Sequence, residues 1–230
     1  MEILELKRLA YEANMELNRR GLIIYTWGNV SQLDRARGLL AIKPSGVPYE
    51  ALAPEMMVLI DLETGEPVES RYKPSSDTPT HLVLYRAFSG IGGVTHTHSP
   101  AATAWAQARR AIPCYGTTHA DYFHGPVPGT RMLTEAEVGE GYEENTGRAI
   151  VEAFEGRNPL HAPGVLCAGH GPFTWGKDAA ESVHNAVVLE EIAKIAMWTE
   201  ALAPGIGDLP SHVSDKHFLR KHGPNAYYGQ

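Results

Sequence analysis

Between residues 2 and 20 apolar side chains recur at helical spacing. Leu6, Leu9, Ala10, Ala13 and Leu17 fall on one face, and Gly21 can end the helix. The period then changes. Leu22 to Tyr25 reads as a strand before the break Thr26-Trp27-Gly28-Asn29, and Val30 to Asp34 and Leu39 to Lys43 read as two strands joined across Arg35-Ala36-Arg37-Gly38. Pro44-Ser45-Gly46 is a turn, Met57 to Leu62 a further strand, and Glu63-Thr64-Gly65-Glu66 a hairpin turn leading to Val68. Thr78 can cap a helix that has Pro79 at its first position and runs to about Phe88. Gly92-Gly93-Val94 leads a strand into Thr95-His96-Thr97-His98, and Ser99-Pro100 opens a helix to about Ala108. Residues 113–121 form a polar segment. Thr134 and Glu137 can make a capping box, with a helix over about Glu143 to Phe154. Gly164 to Ala168 is a strand running into Gly169-His170-Gly171-Pro172, and Phe173 to Trp175 continues as a strand. Asp178 and Glu181 form a second capping box before a long helix ending near Leu202. Ser211 to Lys221 is a last helix, stopped by Gly223-Pro224. Helices interspersed with strands, without repeats or linkers, predict one α/β domain over residues 1–230.

Composition narrows the class. The 230 residues are 43% hydrophobic and 20% charged, which suits a globular chain with a substantial core. The net charge of −7 argues against a nucleic-acid binder held by a general basic surface. Cys114 and Cys167 give neither a disulfide framework nor a cysteine-based zinc module, and reduced thiols point to the cytoplasm. The N-terminus has no apolar signal region, and no apolar run approaches membrane-spanning length.

The chemistry concentrates at His96-Thr97-His98. On a strand both imidazoles project to one side, with Cα atoms about 6.6 Å apart, and can converge on one metal ion; the alternative is an exposed pair at a strand end. A His₃ site needs a third ligand. His170, between Gly169 and Gly171 at a strand end, is the best candidate among the other nine histidines, and Asp77 is a possible oxygen ligand. Lys43-Pro44-Ser45-Gly46 and Lys73-Pro74-Ser75-Ser76 are similar small-residue turns whose N–H groups and hydroxyls could hold a phosphate, or could be ordinary turns. Neither is a P-loop, and no Gly-x-Gly-x-x-Gly signals a nicotinamide. Asp121 could be a general acid/base or simply an exposed loop aspartate. Tyr227 and Tyr228 in the tail suggest docking on a surface such as that of a neighbouring subunit.

Together these segments resemble the class II aldolase/adducin family, and within it the epimerases of L-ribulose 5-phosphate. The resemblance spans nearly the whole chain. It rests on Thr26-Trp27-Gly28-Asn29-Val30-Ser31, Lys43-Pro44-Ser45-Gly46-Val47, Lys73 to His81, His96-Thr97-His98-Ser99, Gly116-Thr117-Thr118-His119-Ala120-Asp121, Gly169-His170-Gly171-Pro172-Phe173 and Ala226-Tyr227-Tyr228-Gly229-Gln230.

That resemblance implies a three-layer α/β/α sandwich around a mainly antiparallel sheet. It also implies a cyclic homotetramer with active sites between subunits. It implies Zn²⁺, or another divalent ion such as Mn²⁺ or Co²⁺, held by His96, His98 and His170 with Asp77 at the same site. Gly28, Asn29, Ser45, Gly46, Ser75 and Ser76 match substrate and phosphate positions, with Lys43 nearby. Asp121 and Tyr228 match the acid/base pair, Tyr228 coming from the adjacent subunit, and Thr117, Glu143, His217 and Arg220 match further active-site positions. The implied reaction interconverts L-ribulose 5-phosphate and D-xylulose 5-phosphate by breaking and re-forming the C3–C4 bond. Two rivals share the fold: an aldolase that releases its two fragments, whose members carry Glu where this chain has Asp77, and a non-catalytic adducin-like interaction domain.

Overall fold

The computed structural model describes residues 1–69 and 71–227. Among the described residues seven strands form one sheet: β1 (Asn29–Asp34), β2 (Leu39–Ile42), β3 (Val58–Asp61), β4 (Pro67–Glu69), β5 (Gly93–His96), β6 (Gly164–Leu166) and β7 (Pro172–Gly176). Their order is β4-β3-β2-β1-β5-β7-β6 and every neighbouring pair is antiparallel. The helices are α1 (Ile3–Arg19), α2 (Thr78–Ala87), α3 (Pro100–Ala108), α4 (Thr117–Ala120), α5 (Glu135–Ala153), α6 (Ala179–Leu202) and α7 (Ser211–His222).

Alternation along the strands assigns the layers. On β2, Ala41 packs with Leu6 and Ala10 of α1, while Leu40 and Ile42 pack with Leu82 and Tyr85 of α2. On β1, Val30 meets α1 and α6 through Leu17, Val183 and Ala186, and Leu33 joins the opposite cluster. One face is therefore covered by α1 and α6, the other by α2 with α5 packed on it. This is the expected α/β/α sandwich. Strand β5 is buried at every residue. It runs so close to the β7–α6 connection that a Cβ on Gly93 would lie 2.2 Å from the Asp178 backbone. The double glycine before the histidines thus has a packing cause.

Several local expectations change. Leu22 to Tyr25 is no strand: Leu22 is drawn inward, its N–H returns to Leu17 O, and Ile24 bridges to Trp27 around a tight turn with Tyr25 at φ 54°. Four apolar residues with no neighbouring edge have no ladder to join. Asp77, not Thr78, precedes the first turn of α2, and the Thr78 hydroxyl donates to Ser75 O at 2.6 Å. The Thr134–Glu137 box forms, but it starts α5 at Glu135, well before Glu143, and Gly141 interrupts that helix with non-helical angles. The second box is half made. Asp178 accepts from Glu181 N, whereas the Glu181 carboxylate reaches Lys177 N. The polar segment around residue 117 holds the short α4.

Candidate active site

The three histidines arrive from two adjacent strands. His96 ends β5, His98 lies two residues on, and His170 sits in the turn before β7, the neighbour of β5. One ring nitrogen from each lies within 4.8 Å of those of the other two. The Pro172 carbonyl is 2.9 Å from His96 Nδ1 and can only accept, so Nδ1 carries a proton and, in the neutral tautomer, Nε2 is the nitrogen with the lone pair. His96 Nε2 is 3.1 Å from His98 Nε2. Two nitrogens on one tetrahedral ion, each about 2.0–2.1 Å from it, stand about 3.3 Å apart, so the pair fits a shared metal. Burial and the neighbouring imidazoles push His170 down to about 4 and hold His98 below its usual range, which keeps both rings in the neutral, ligating form. Phe173 stacks on the His96 ring at 4.2 Å and walls off its far side.

These histidines form one wall of a cavity of about 340 Å³. Asp77 lines the same cavity but stands outside the group of three nitrogens; its Oδ2 accepts from Asn29 Nδ2 at 2.6 Å. Burial pushes the Asp77 carboxyl up, but the His96, His81 and His170 rings and the Asn29 amide outweigh it, and the group lies below its usual range. Asn29 is 3% exposed and follows Gly28, whose φ is +100° and where a Cβ would meet His96 O at 2.8 Å. Only glycine lets that turn approach the histidine strand. Asn29 Oδ1 and His170 Nδ1 are buried without a hydrogen-bond partner among the described residues. Orphans of this kind are costly unless something outside the chain satisfies them.

The pair of similar turns lines the same cavity. Pro44 bridges to Pro74, Ser45 N donates to Lys73 O at 2.9 Å, and Ser75 N donates to Lys43 O at 3.0 Å. Those two N–H groups are therefore spent on the Lys73 and Lys43 carbonyls, which ties the two turns together. Lys43 is 2% exposed, and its Nζ donates to Val47 O at 2.8 Å over the Tyr49 ring. Burial alone pulls it down to about 8. Ser45, Gly46, Ser75, Ser76 and Glu143 complete the expected lining. Thr26, Trp27 and Tyr142 also line it, and sequence reasoning passed them over. Trp27 stands beside the Gly28-Asn29 pair, its ring 6.1 Å from that of His98. Tyr142 adjoins Glu143 just after the break at Gly141, its ring 6.0 Å from that of His170.

Asp121, Thr117, His217 and Arg220 do not reach this cavity within the chain. They form a second cluster where α4 meets α7. The Asp121 carboxylate accepts from Arg220 Nε and Nη2 at 3.1 and 2.8 Å and pairs with His217 Nδ1 at 3.1 Å, and its backbone carbonyl accepts from His222 Nε2 at 2.8 Å. Burial raises the Asp121 carboxyl, but Arg220, His217 and Lys221 together bring it below its usual range. Thr117 opens α4, whose last turn delivers Asp121. Tyr228 lies outside the described residues.

Residues 8–197 match the model of the Class II Aldolase and Adducin N-terminal domain. The chain is 56% identical, over 98% of its length and 99% of the relative's, to L-ribulose-5-phosphate 4-epimerase UlaF of Salmonella paratyphi A, and equally so to that of Salmonella typhi. Its fold superposes on an L-fuculose 1-phosphate aldolase with a TM-score of 0.80, at 24% identity over 93% of this chain and 94% of the other. With the antiparallel sheet and the histidine-lined cavity already in place, the match over most of the sequence makes this chain a member of the class II aldolase/adducin family.

Proposed function

We propose that the protein is an L-ribulose-5-phosphate 4-epimerase. The observation that carries this reading is the near full-length identity of 56% to enzymes of that name, on a chain whose cavity is lined both by three convergent imidazoles and by two serine-bearing turns. The resident metal proposed is Zn²⁺, held by His96, His98 and His170 with Asp77 beside them; other divalent ions suit three imidazoles as well.

The carbonyl of L-ribulose 5-phosphate is C2, so the C4 proton is not activated and simple deprotonation cannot invert that centre. Breaking C3–C4 can. A base takes the C4 hydroxyl proton, the C3–C4 electron pair moves into an enediolate over C2 and C3, and C4 becomes the aldehyde of glycolaldehyde phosphate. The metal, when bound, supplies Lewis-acid stabilisation of the negative charge developing on the substrate oxygens. Ser45, Gly46, Ser75 and Ser76 hold the phosphate while the aldehyde turns its other face. Re-addition forms the same bond, the new alkoxide takes a proton, and C4 is inverted. Asp121 and Tyr228 are the proposed acid/base pair, one serving each face of the aldehyde.

Within one chain Asp121 does not line the cavity, which supports a homotetramer whose sites combine the histidine wall of one subunit with Asp121 and Tyr228 of the next. No helix of the described residues is long and apolar enough to cross a membrane, and Cys114 and Cys167 are buried free thiols. A cytoplasmic enzyme is the proposed setting. The test is incubation with L-ribulose 5-phosphate with and without a chelator. Metal-dependent formation of D-xylulose 5-phosphate is expected. Release of free fragments would replace the epimerase by an aldolase, and full activity after rigorous chelation would remove the metal from the reaction.

A further inference from the structure

The helix leaving the histidine strand is not capped by its own sequence. Helix α3 starts at Pro100, directly after Ser99, and a serine there ordinarily accepts from the second or third helical N–H. The Ser99 hydroxyl instead takes a bond from Thr97 Oγ1 at 3.1 Å and makes no cap. Both N–H groups go to Glu190, far along the chain on α6. Its Oε1 accepts from Ala101 N at 3.0 Å and its Oε2 from Ala102 N at 2.9 Å. Glu190 is 1% exposed, and Lys194 Nζ lies 3.7 Å from Oε1. A carboxylate this deep is costly unless its oxygens are satisfied. Packing alone would be served by an apolar residue, as Ala193 and Ala196 serve it one turn and two turns on.

Upstream, the Pro172 carbonyl accepts from His96 Nδ1 at 2.9 Å and from Thr97 N at 3.3 Å. Between that anchor and the Glu190 anchor lie only His98, Ser99 and Pro100. Helix α6 is itself locked to the same strands. Ser182 Oγ bonds Thr95 Oγ1 at 2.7 Å, Ser182 O accepts from Thr174 Oγ1 at 2.8 Å, and Asn185 Nδ2 donates to Trp175 O at 2.8 Å. One helix therefore fixes both the strand that carries His96 and the first turn of the helix that follows His98.

We infer that Glu190 is a positioning residue for the metal centre. By clamping the first turn of α3 to α6, it sets the strand-to-helix exit and with it the direction of the His98 imidazole. The inference rests on the reading of His96, His98 and His170 as metal ligands.

Metal-stripped wild type, Glu190→Gln, Glu190→Asp and Trp105→Phe would be titrated with Co²⁺, followed by its visible ligand-field bands, and with Zn²⁺ against a competing chelator. Far-UV circular dichroism would report folding. Glutamine keeps the size but offers one oxygen and turns an NH₂ toward an N–H donor. Trp105→Phe removes the Trp105 Nε1 bond to Ala193 O, another α3–α6 link, and controls for general loosening. The expected result is metal affinity at least about tenfold weaker in Glu190→Gln, with altered bands, a smaller loss in Glu190→Asp, and wild-type affinity in Trp105→Phe. A folded Glu190→Gln with wild-type affinity would overturn the inference, as would equal weakening in Trp105→Phe. Failure of both Glu190 variants to fold would assign the residue to stability alone and overturn it equally. Absence of metal binding by the wild type would instead remove the metal-centre reading beneath it.

Discussion

A backbone acceptor at Pro172 selects the tautomer of His96, and burial keeps His98 and His170 neutral, so the chemistry of this wall is decided atom by atom. The sequence carried part of that information. Two imidazoles two residues apart on a strand share a face by geometry alone, whereas the arrival of His170 depends on β7 pairing with β5, a long-range contact that no local spacing encodes. Tyr142 was not legible at all, because nothing about a tyrosine within a helix marks it as facing a cavity. Asp121 belongs to the ion-paired cluster between α4 and α7, away from the histidines; as the proposed acid/base its change Asp121→Asn should lower kcat by about 10²–10⁴-fold while metal content stays at the wild-type level, and steady-state kinetics and metal analysis on one preparation check both. His119 makes a separate point. It is buried with Nε2 bonded to Gly125 O at 2.8 Å, and burial drives it down to about 4. Its folded pKa lies below its unfolded value of about 6.5, so the unfolded chain binds the extra proton first. Stability is full above that value and falls as pH drops toward 4, by about 3 kcal/mol from this residue. In His119→Gln, whose amide can keep the bond, urea unfolding at a series of pH values should show that acid loss reduced by about this amount.

At the level of elements, apolar periodicity located α1, and cap, proline and glycine signals located α2, α3, α6 and α7, while short apolar runs between turns marked most of the sheet. Ends were less legible. Ser99 and Thr78 have the right chemistry for caps, yet their hydroxyls are claimed by Thr97 and Ser75, and the first turn of α3 is served from α6. Candidate caps compete with partners that only the fold supplies. The Leu22–Tyr25 expectation fails for a related reason, since apolar content without a neighbouring edge makes no strand. Two glycine substitutions separate packing from propensity. Gly93→Ala drives a methyl into the Asp178 backbone and should cost about 3 kcal/mol or more, or abolish soluble expression. Gly139→Ala, exposed on α5 with nothing within 4 Å of the added carbon, should stabilise by about 0.5–1 kcal/mol in thermal denaturation.

For the molecule as a whole, the residues proposed for one reaction fall into two separate clusters within a single chain, and this separation is a property of the fold that no motif reveals. It yields a complementation test. His98→Ala and Asp121→Asn, each inactive alone, should recover about a quarter of the wild-type rate when co-assembled in equal amounts, because a random pairing of subunits restores one intact site in about four. No recovery in verified mixed oligomers would confine each site to one subunit. The two serine turns have a consequence of their own. Since Ser45 and Ser75 each donate to the other turn, the pair is a single stiff bracket, and the histidine wall of the same cavity is braced by Pro172. On the proposed reading, with the phosphate at the turns and the carbonyl at the histidines, two such unyielding supports make the cavity a ruler: it measures the number of carbons between carbonyl and phosphate more strictly than it inspects the hydroxyls in between. Ketose phosphates one carbon longer or shorter should therefore lose far more kcat/KM than epimers of the right length.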